Sequence, residues 1–212
     1  MIQLTRSGLA SHRTSDIETL RAQFSDQQCV QLPRFLDPDL LARLQEQVDH
    51  AQFDDRVHDD IGRELCMTSN AALSWLYFLA NDPEVFRMVQ QVTGCGPIGC
   101  FTGRVYRMLP GPGHYDSWHT DALEHRVVGM SVNLGRGIYT GGVFELRELR
   151  SQKLLSEVAN TGPGDAILFR ISRDLAHRVT PVAGIADKTA FAGWFRSEPA
   201  FASLLKLGER AT

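Results

Sequence analysis

The sequence predicts an α+β protein in which N-terminal helices buttress a double-sheet barrel or jelly roll. Two observations carry that expectation. Up to Gly96 the apolar residues recur at helical spacing behind Ser or Asp-Pro caps, and after Gly96 the chain changes to short β-rich runs broken by glycine and proline. A third observation concerns chemistry: the stretch "SWHTD" sets an imidazole and a carboxylate two residues apart just after a "PGPG" loop.

The elements follow in order. Ser15 with Glu18 reads as a capping box, and Ile17, Leu20 and Phe24 continue at helix spacing. Cys29 to Leu32 reads as a short strand stopped by Pro33. Asp37-Pro38 is an N-cap followed by a first-turn proline, opening a helix with the stripe Leu40, Leu41, Leu44 and Val48. The charged segment "FDDRVHDDIGRE" reads as a surface loop, with "DDRVHDDIG" a candidate lid. "NAALSWLYFLA" and "DPEVFRMVQQVTG" give two more helices, the second capped by Asp82 and Pro83. Strands are then expected in "CFTGRVYRML", "RVVGMSVNL", "GVFELREL", "DAILFR", "HRVTPV" and "KTAFAGWF". No repeat or low-complexity tract breaks the chain, so one domain is expected over 1–212, helical to about residue 96 and a jelly roll from about 97 to 197.

Composition narrows the function classes. The 43% hydrophobic and 22% charged fractions are those of an ordinary globular domain, and a net charge of −3 gives no general reason to expect a nucleic-acid or anionic-membrane partner. The N-terminus lacks the apolar run of a signal peptide, and no stretch reaches membrane-spanning length. A cytoplasmic protein with no membrane partner is expected. The four cysteines form no CxxC pair, which fits reduced thiols and argues against a zinc site at Cys95 and Cys100. Oligomeric state is not encoded in any pattern of this sequence.

On a strand, residues i and i+2 face the same way, so His119 and Asp121 can grip one ion from one strand. His177 in "DLAHRVTPV", 56 residues after Asp121, is the candidate third ligand. Two imidazoles and a carboxylate leave three of six octahedral positions open, an arrangement that suits Fe(II). HxD alone occurs often by chance, and a lone histidine is commonly an ordinary surface or core side chain. Lys188 adds weight. By alternation Lys188, Ala190, Ala192, Trp194 and Arg196 share a face, and the apolar members turn it toward the barrel interior. An ammonium there needs an anion. The far carboxylate of a dicarboxylic cosubstrate, chelating the metal with its other end, would supply one.

Together His119-x-Asp121, His177 in "HRVTPV", and Lys188 with Trp194 six residues on resemble the 2-oxoglutarate- and Fe(II)-dependent oxygenases, closest to the prolyl-4-hydroxylase-like branch. The resemblance spans roughly residues 98–196 and, more loosely, the opening "CVQLPRFLDPDLLARL". It implies a double-stranded β-helix, with His119, Asp121 and His177 as iron ligands and Lys188 clamping the C5 carboxylate of 2-oxoglutarate. Asn133, Tyr106 and Trp194 fall where the resemblance implies further cosubstrate contacts, and Gly141-Gly142 matches a habitual glycine pair. The sequence departs from the pattern at Leu109, where relatives often carry a tyrosine before the proline-glycine loop. The implied reaction consumes dioxygen, decarboxylates 2-oxoglutarate to succinate and hydroxylates an unactivated C–H bond, with ascorbate a possible stimulant. Asp121 retains the carboxylate that halogenating relatives replace.

The substrate is less legible. Arg104, Tyr106 and Met108 alternate onto one face, where Arg104 can meet a substrate carboxylate or pair at the surface. "GPGHYDSW" reads as a rim, offering His114, Tyr115 and Trp118 for substrate contact. These features fit an amino acid, a peptide side chain or a small metabolite as partner. The competing readings are a cupin-like metal-binding or sensory module without turnover, and a structural jelly roll with incidental histidines.

Overall fold

The computed structural model describes residues 1–68, 71–123, 125–159 and 161–197; the expected domain boundary at 212 lies outside them. Four helices, α1 (Thr14–Gln27), α2 (Pro38–Asp49), α3 (Ala71–Ala80) and α4 (Pro83–Thr93), occupy the first half of the chain. Their starts follow local chemistry. The Asp37 carboxylate accepts the N–H groups of Asp39 and Leu40 at 2.9 and 3.0 Å, and Asp82 accepts that of Glu84 at 2.7 Å. Helix α1 begins earlier than its Ser15–Glu18 pattern suggests: Arg13 is the N-cap, and its N–H donates to Asp16 at 3.3 Å. An acidic side chain at the third helical position captures the free donor there, whichever residue precedes it.

Eleven strands form one sheet: β1 (Cys29–Leu32), β2 (Phe53–His58), β3 (Gly62–Met67), β4 (Cys100–Met108), β5 (Tyr115–His119), β6 (Arg126–Asn133), β7 (Phe144–Glu148), β8 (Leu154–Val158), β9 (Ala166–Arg170), β10 (Leu175–Val179) and β11 (Lys188–Arg196). The hydrogen-bonded order is β8-β7-β10-β5-β3-β4-β11-β6-β9-β1, with β2 on β3, and every pairing is antiparallel. The sheet curls into a nearly closed jelly roll, the fold class the sequence predicts.

The segment "FDDRVHDDIGRE" corrects the expectation of a loop. It folds as the hairpin β2–β3, whose second strand joins the barrel between β4 and β5. Its residues are polar because β2 is an outer strand facing water while β3 lines a hydrophilic interior, so no apolar alternation announces either strand. The first 96 residues therefore hold three strands of the sheet as well as the four helices.

Strand β11 shows how the two cores divide. Phe191 and Phe195 turn outward and pack with Phe101, Val128 and helix residues such as Phe24, Leu44 and Val89. Ala190 turns inward with Tyr106, Met108, Phe144 and Ile167. Both faces of β11 are covered, which fixes its register: a one-residue slip would drive Lys188 into the helical core. Among the described residues no helix is long and apolar enough to cross a membrane. Among the described residues, Cys29, Cys66, Cys95 and Cys100 form no disulfide.

Candidate active site

The barrel encloses a cavity of about 550 Å³, and His119, Asp121 and His177 line it together. His177 sits mid-strand in β10, with Leu146 of β7 and His119 of β5 as its cross-strand partners. Phe169 and Phe144 pack on its ring, centroids 4.8 and 5.8 Å away. His119 is the last residue of β5, and Asp121 lies just past the strand end rather than within it. The three still converge. Asp121 Oδ2 is 3.4 Å from His177 Nε2 and 3.9 Å from His119 Nε2. One ligand atom from each lies within 4.8 Å of the others, the only such cluster among the described residues. With bonds of about 2.1 Å to a divalent ion, neighbouring ligands sit about 3 Å apart, so sub-ångström shifts would close this set on a metal.

The surroundings set the ligand chemistry. His119 Nδ1–H donates to the carbonyl of Ser117 at 2.8 Å, leaving Nε2 bare toward the cluster. The Asp121 carboxylate is gripped from outside: Trp194 Nε1–H donates to Oδ2 at 2.6 Å and Arg126 Nη1–H to Oδ1 at 2.8 Å. The guanidinium of Arg126 lies 3.6 Å from the centre of the Trp194 ring. Burial pushes this carboxyl up, but the His177 and Trp194 hydrogen bonds and the two imidazoles more than reverse it, to about 2. The carboxylate stays ionised, the form in which a carboxylate can bind a metal.

Lys188 opens β11 and is only 8% exposed. Its Nζ donates to the carbonyl of Gly142 at 2.7 Å and lies 5.8 Å from the Tyr139 ring centre. Burial, partly countered by Asp116, pulls its pKa down to about 8. The ammonium faces the same cavity as the His-Asp-His cluster, and among the described residues no carboxylate is hydrogen-bonded to it. Gly142 makes this approach possible: its φ is +57°, and a Cβ there would stand 2.8 Å from the Tyr139 ring and 3.3 Å from Lys188 Cδ.

The remaining candidates divide. Tyr106 and Arg104 line the cavity and Tyr115 stands at its rim, 42% exposed. Trp194 lines it too, but its indole N–H is engaged by Asp121. Asn133 is buried beside Lys188 in a small annex of the cavity, where its amide braces two loops, accepting from Gly135 N–H at 2.8 Å and donating to the Thr161 carbonyl at 2.5 Å. Trp118 is absent from the cavity lining and packs between Arg147 and Arg178, 3.8 and 4.7 Å from its ring centre. His114 is buried under the "PGPG" loop, its Nδ1 accepting the Leu109 N–H at 2.9 Å.

A bulge explains Asp116. His177 faces His119, but Val179 faces Asp116 rather than Ser117, so β5 carries one extra residue against β10. Alternation from His119 already turns Trp118 outward, and the extra residue brings Asp116 onto the cavity side, 3.4 Å from His119 Nδ1. Burial raises the Asp116 carboxyl, the imidazoles partly opposing. Sequence alternation passed over Asp116, along with Glu64 on the unforeseen β3 and Arg126, whose contact with Asp121 no spacing rule reveals.

A jelly roll with two imidazoles and a carboxylate converging on one point, and a buried ammonium sharing their cavity, defines the class of mononuclear metal-site oxygenases. Over residues 103–196 the chain matches the model of the 2OG-Fe(II) oxygenase superfamily. It is a 2-oxoglutarate-dependent dioxygenase, whose cofactors are Fe(II), 2-oxoglutarate and dioxygen. No curated protein is matched by sequence. Among solved structures, the chain is similar to a prolyl-4-hydroxylase of Pseudomonas putida, with a TM-score of 0.64 and 17% identity over 86% of this chain and 99% of that one. It is similar to a 2OG-Fe(II) oxygenase family oxidoreductase of Burkholderia pseudomallei, with a TM-score of 0.66 and 16% identity over 94% and 98% of the two chains. A prolyl hydroxylase of Trichoplax adhaerens, solved with a hypoxia inducible factor peptide fragment, scores 0.61 at 16% identity over 88% and 94%. At such identities the likeness shows the shared fold.

Proposed function

We propose that the protein hydroxylates an unactivated C–H bond of a small molecule, an amino acid or a peptide side chain, with His119, Asp121 and His177 holding the iron and Lys188 holding the far carboxylate of 2-oxoglutarate. One observation carries this reading: a buried lysine, hydrogen-bonded among the described residues only to a backbone carbonyl, faces the cavity that holds the His-Asp-His cluster. A module that merely binds metal has no use for that cation; a cosubstrate dianion anchored at one end by the metal does. When bound, iron and 2-oxoglutarate supply the oxidising chemistry. The chain's own residues orient and exclude. Ser117 fixes the His119 tautomer, Trp194 and Arg126 hold Asp121 ionised and in place, and Phe144, Phe169 and Ile167 form a dry wall beside His177. Tyr106 adds a buried hydroxyl to the same cavity. A peptide substrate is compatible with the exposed rim at Tyr115, and the Trichoplax relative was solved with a peptide.

The test is a mass-spectrometric screen for products 16 Da heavier than candidate substrates, run with iron, ascorbate and 2-oxoglutarate, alongside succinate formation. Succinate formed by the wild type and not by His177→Ala supports the assignment. Equal succinate from both would overturn it.

A further inference from the structure

Opposite the Lys188 end, the cavity wall carries a second cation with a different kind of support. Arg104 lies on β4 across from Ala192 of β11, and alternation turns it inward. Its Nε–H donates to the Glu64 carboxylate from β3. Its guanidinium stands between the Tyr106 and Trp194 rings, 5.8 Å from each centroid. Glu64 is held in turn, by His58 Nε2 at 3.1 Å and by the thiol of Cys66 at 3.3 Å. Backbone register, an ion pair and two aromatic rings thus fix one arginine, while its terminal Nη1 and Nη2 groups make no hydrogen bond among the described residues. That leaves a planar pair of donors presented to the cavity, the geometry that matches a carboxylate bidentately.

Of the other cations lining the cavity, Arg56 and Arg63 are exposed to water and Arg126 is engaged by Asp121, which leaves Lys188 and Arg104 as the two held inside it. Lys188 and Arg104 cannot share one carboxylate. Lys188 precedes the partner of Arg104 by four residues on β11, about 13 Å along a strand, and each is tethered to its own acceptor.

We infer that Arg104 is the receptor for a carboxylate of the substrate, and that the enzyme acts on a carboxylic acid, either a free amino or aliphatic acid or a peptide through a carboxylate. This rests on the iron and 2-oxoglutarate reading of the same cavity. The Arg104 fork anchors the substrate from the Trp194 side and leaves its aliphatic part to reach the His-Asp-His cluster. Arg104 and Glu64 act as a unit: the carboxylate fixes Nε so that the far edge is ready for the ligand without reorganisation.

The test compares acids with their primary amides. Wild-type protein with Fe(II), 2-oxoglutarate and ascorbate is assayed against free amino and aliphatic acids, against short peptides with free carboxylates, and against the amide of each. The readouts are succinate formation and the 16 Da product. The inference expects acids to exceed their amides by at least about tenfold in kcat/KM, and the set that responds, free acids or peptides, identifies the source of the carboxylate. Arg104→Gln should collapse that preference to within about threefold, while Arg104→Lys retains part of it, because a point charge replaces a planar fork. Because Arg104→Gln strands the buried Glu64, the paired change R104Q with E64Q is measured as well, and melting curves confirm that it folds. Amides as good as acids, or discrimination that survives Arg104→Gln and the paired change, would overturn the inference. So would a wild type that converts 2-oxoglutarate to succinate on its own but responds to no acid. Absence of succinate both without substrate and with every acid would instead count against the iron and 2-oxoglutarate reading.

Discussion

Replacing Lys188 by methionine should weaken cosubstrate binding and strengthen the cosubstrate-free fold, a combination expected of a residue kept for function. Burial draws the lysine from its ordinary 10.5 to about 8, a difference corresponding to roughly 3 kcal/mol of cost in keeping the ammonium charged inside the protein near neutral pH. Methionine removes that cost, fills much the same volume and forfeits the hydrogen bond to Gly142, worth about 1–1.5 kcal/mol. The net expectation is a gain of about 1–2 kcal/mol, or roughly 2–8 °C in melting temperature at this chain length. The pH dependence has a defined sign. The unfolded chain holds the lysine proton more tightly than the folded one, so wild-type stability rises between about pH 8 and 10.5 as the folded protein sheds its proton first. The advantage of the methionine variant is therefore full below pH 8 and fades toward 10.5. Loss of a charge-assisted bond to the C5 carboxylate, about 1.5–3 kcal/mol, should raise the 2-oxoglutarate constant about ten- to a hundredfold. Melting curves and 2-oxoglutarate titrations of succinate formation measure both sides. A variant that melts lower and titrates like the wild type would refute the reasoning and make Lys188 a structural residue.

Other expectations follow from the same contacts. The wild-type 2-oxoglutarate constant should climb above about pH 8 as Lys188 deprotonates, and Lys188→Arg should flatten that climb, which a pH series of initial rates would show. Trp194→Phe removes the N–H on Asp121 and should weaken iron binding about ten- to a hundredfold, read by anaerobic titration; unchanged affinity would mean that Arg126 alone suffices. Gly142→Ala forces a side chain against Tyr139 and Lys188 at a positive φ, and should lower stability by at least about 1 kcal/mol and raise the 2-oxoglutarate constant. Trp118→Ala, outside the cavity, should lower stability and leave substrate KM unchanged; a KM increase would return Trp118 to the substrate rim.

The sequence made legible what depends on neighbours along the chain. Asp37-Pro38 and Asp82-Pro83 announce α2 and α4 because cap and first turn lie within four residues. Alternation from Lys188 to Trp194 reads correctly because β11 runs unbroken along its central pairings. The HxD pattern leads to the cluster even though Asp121 lies beyond the strand, since a two-residue span keeps both side chains near one point. What failed depends on distant partners. One extra residue in β5 against β10 reverses Asp116, and nothing local marks that bulge. The hairpin β2–β3 is hidden because its faces meet water and a polar cavity instead of an apolar core. The Trp194–Asp121 bond joins residues 73 apart, so residue type and period predict the direction of the tryptophan but not its acceptor.

The central claim is that His119, Asp121 and His177 form one iron site. Anaerobic equilibrium dialysis with Fe(II) tests it directly, on wild type, His177→Ala and His114→Ala, whose imidazole instead accepts the Leu109 N–H. The account predicts one equivalent bound by the wild type and by His114→Ala, and none by His177→Ala at the same free iron. An equivalent retained by a folded His177→Ala protein, or lost only on replacing His114, would contradict it.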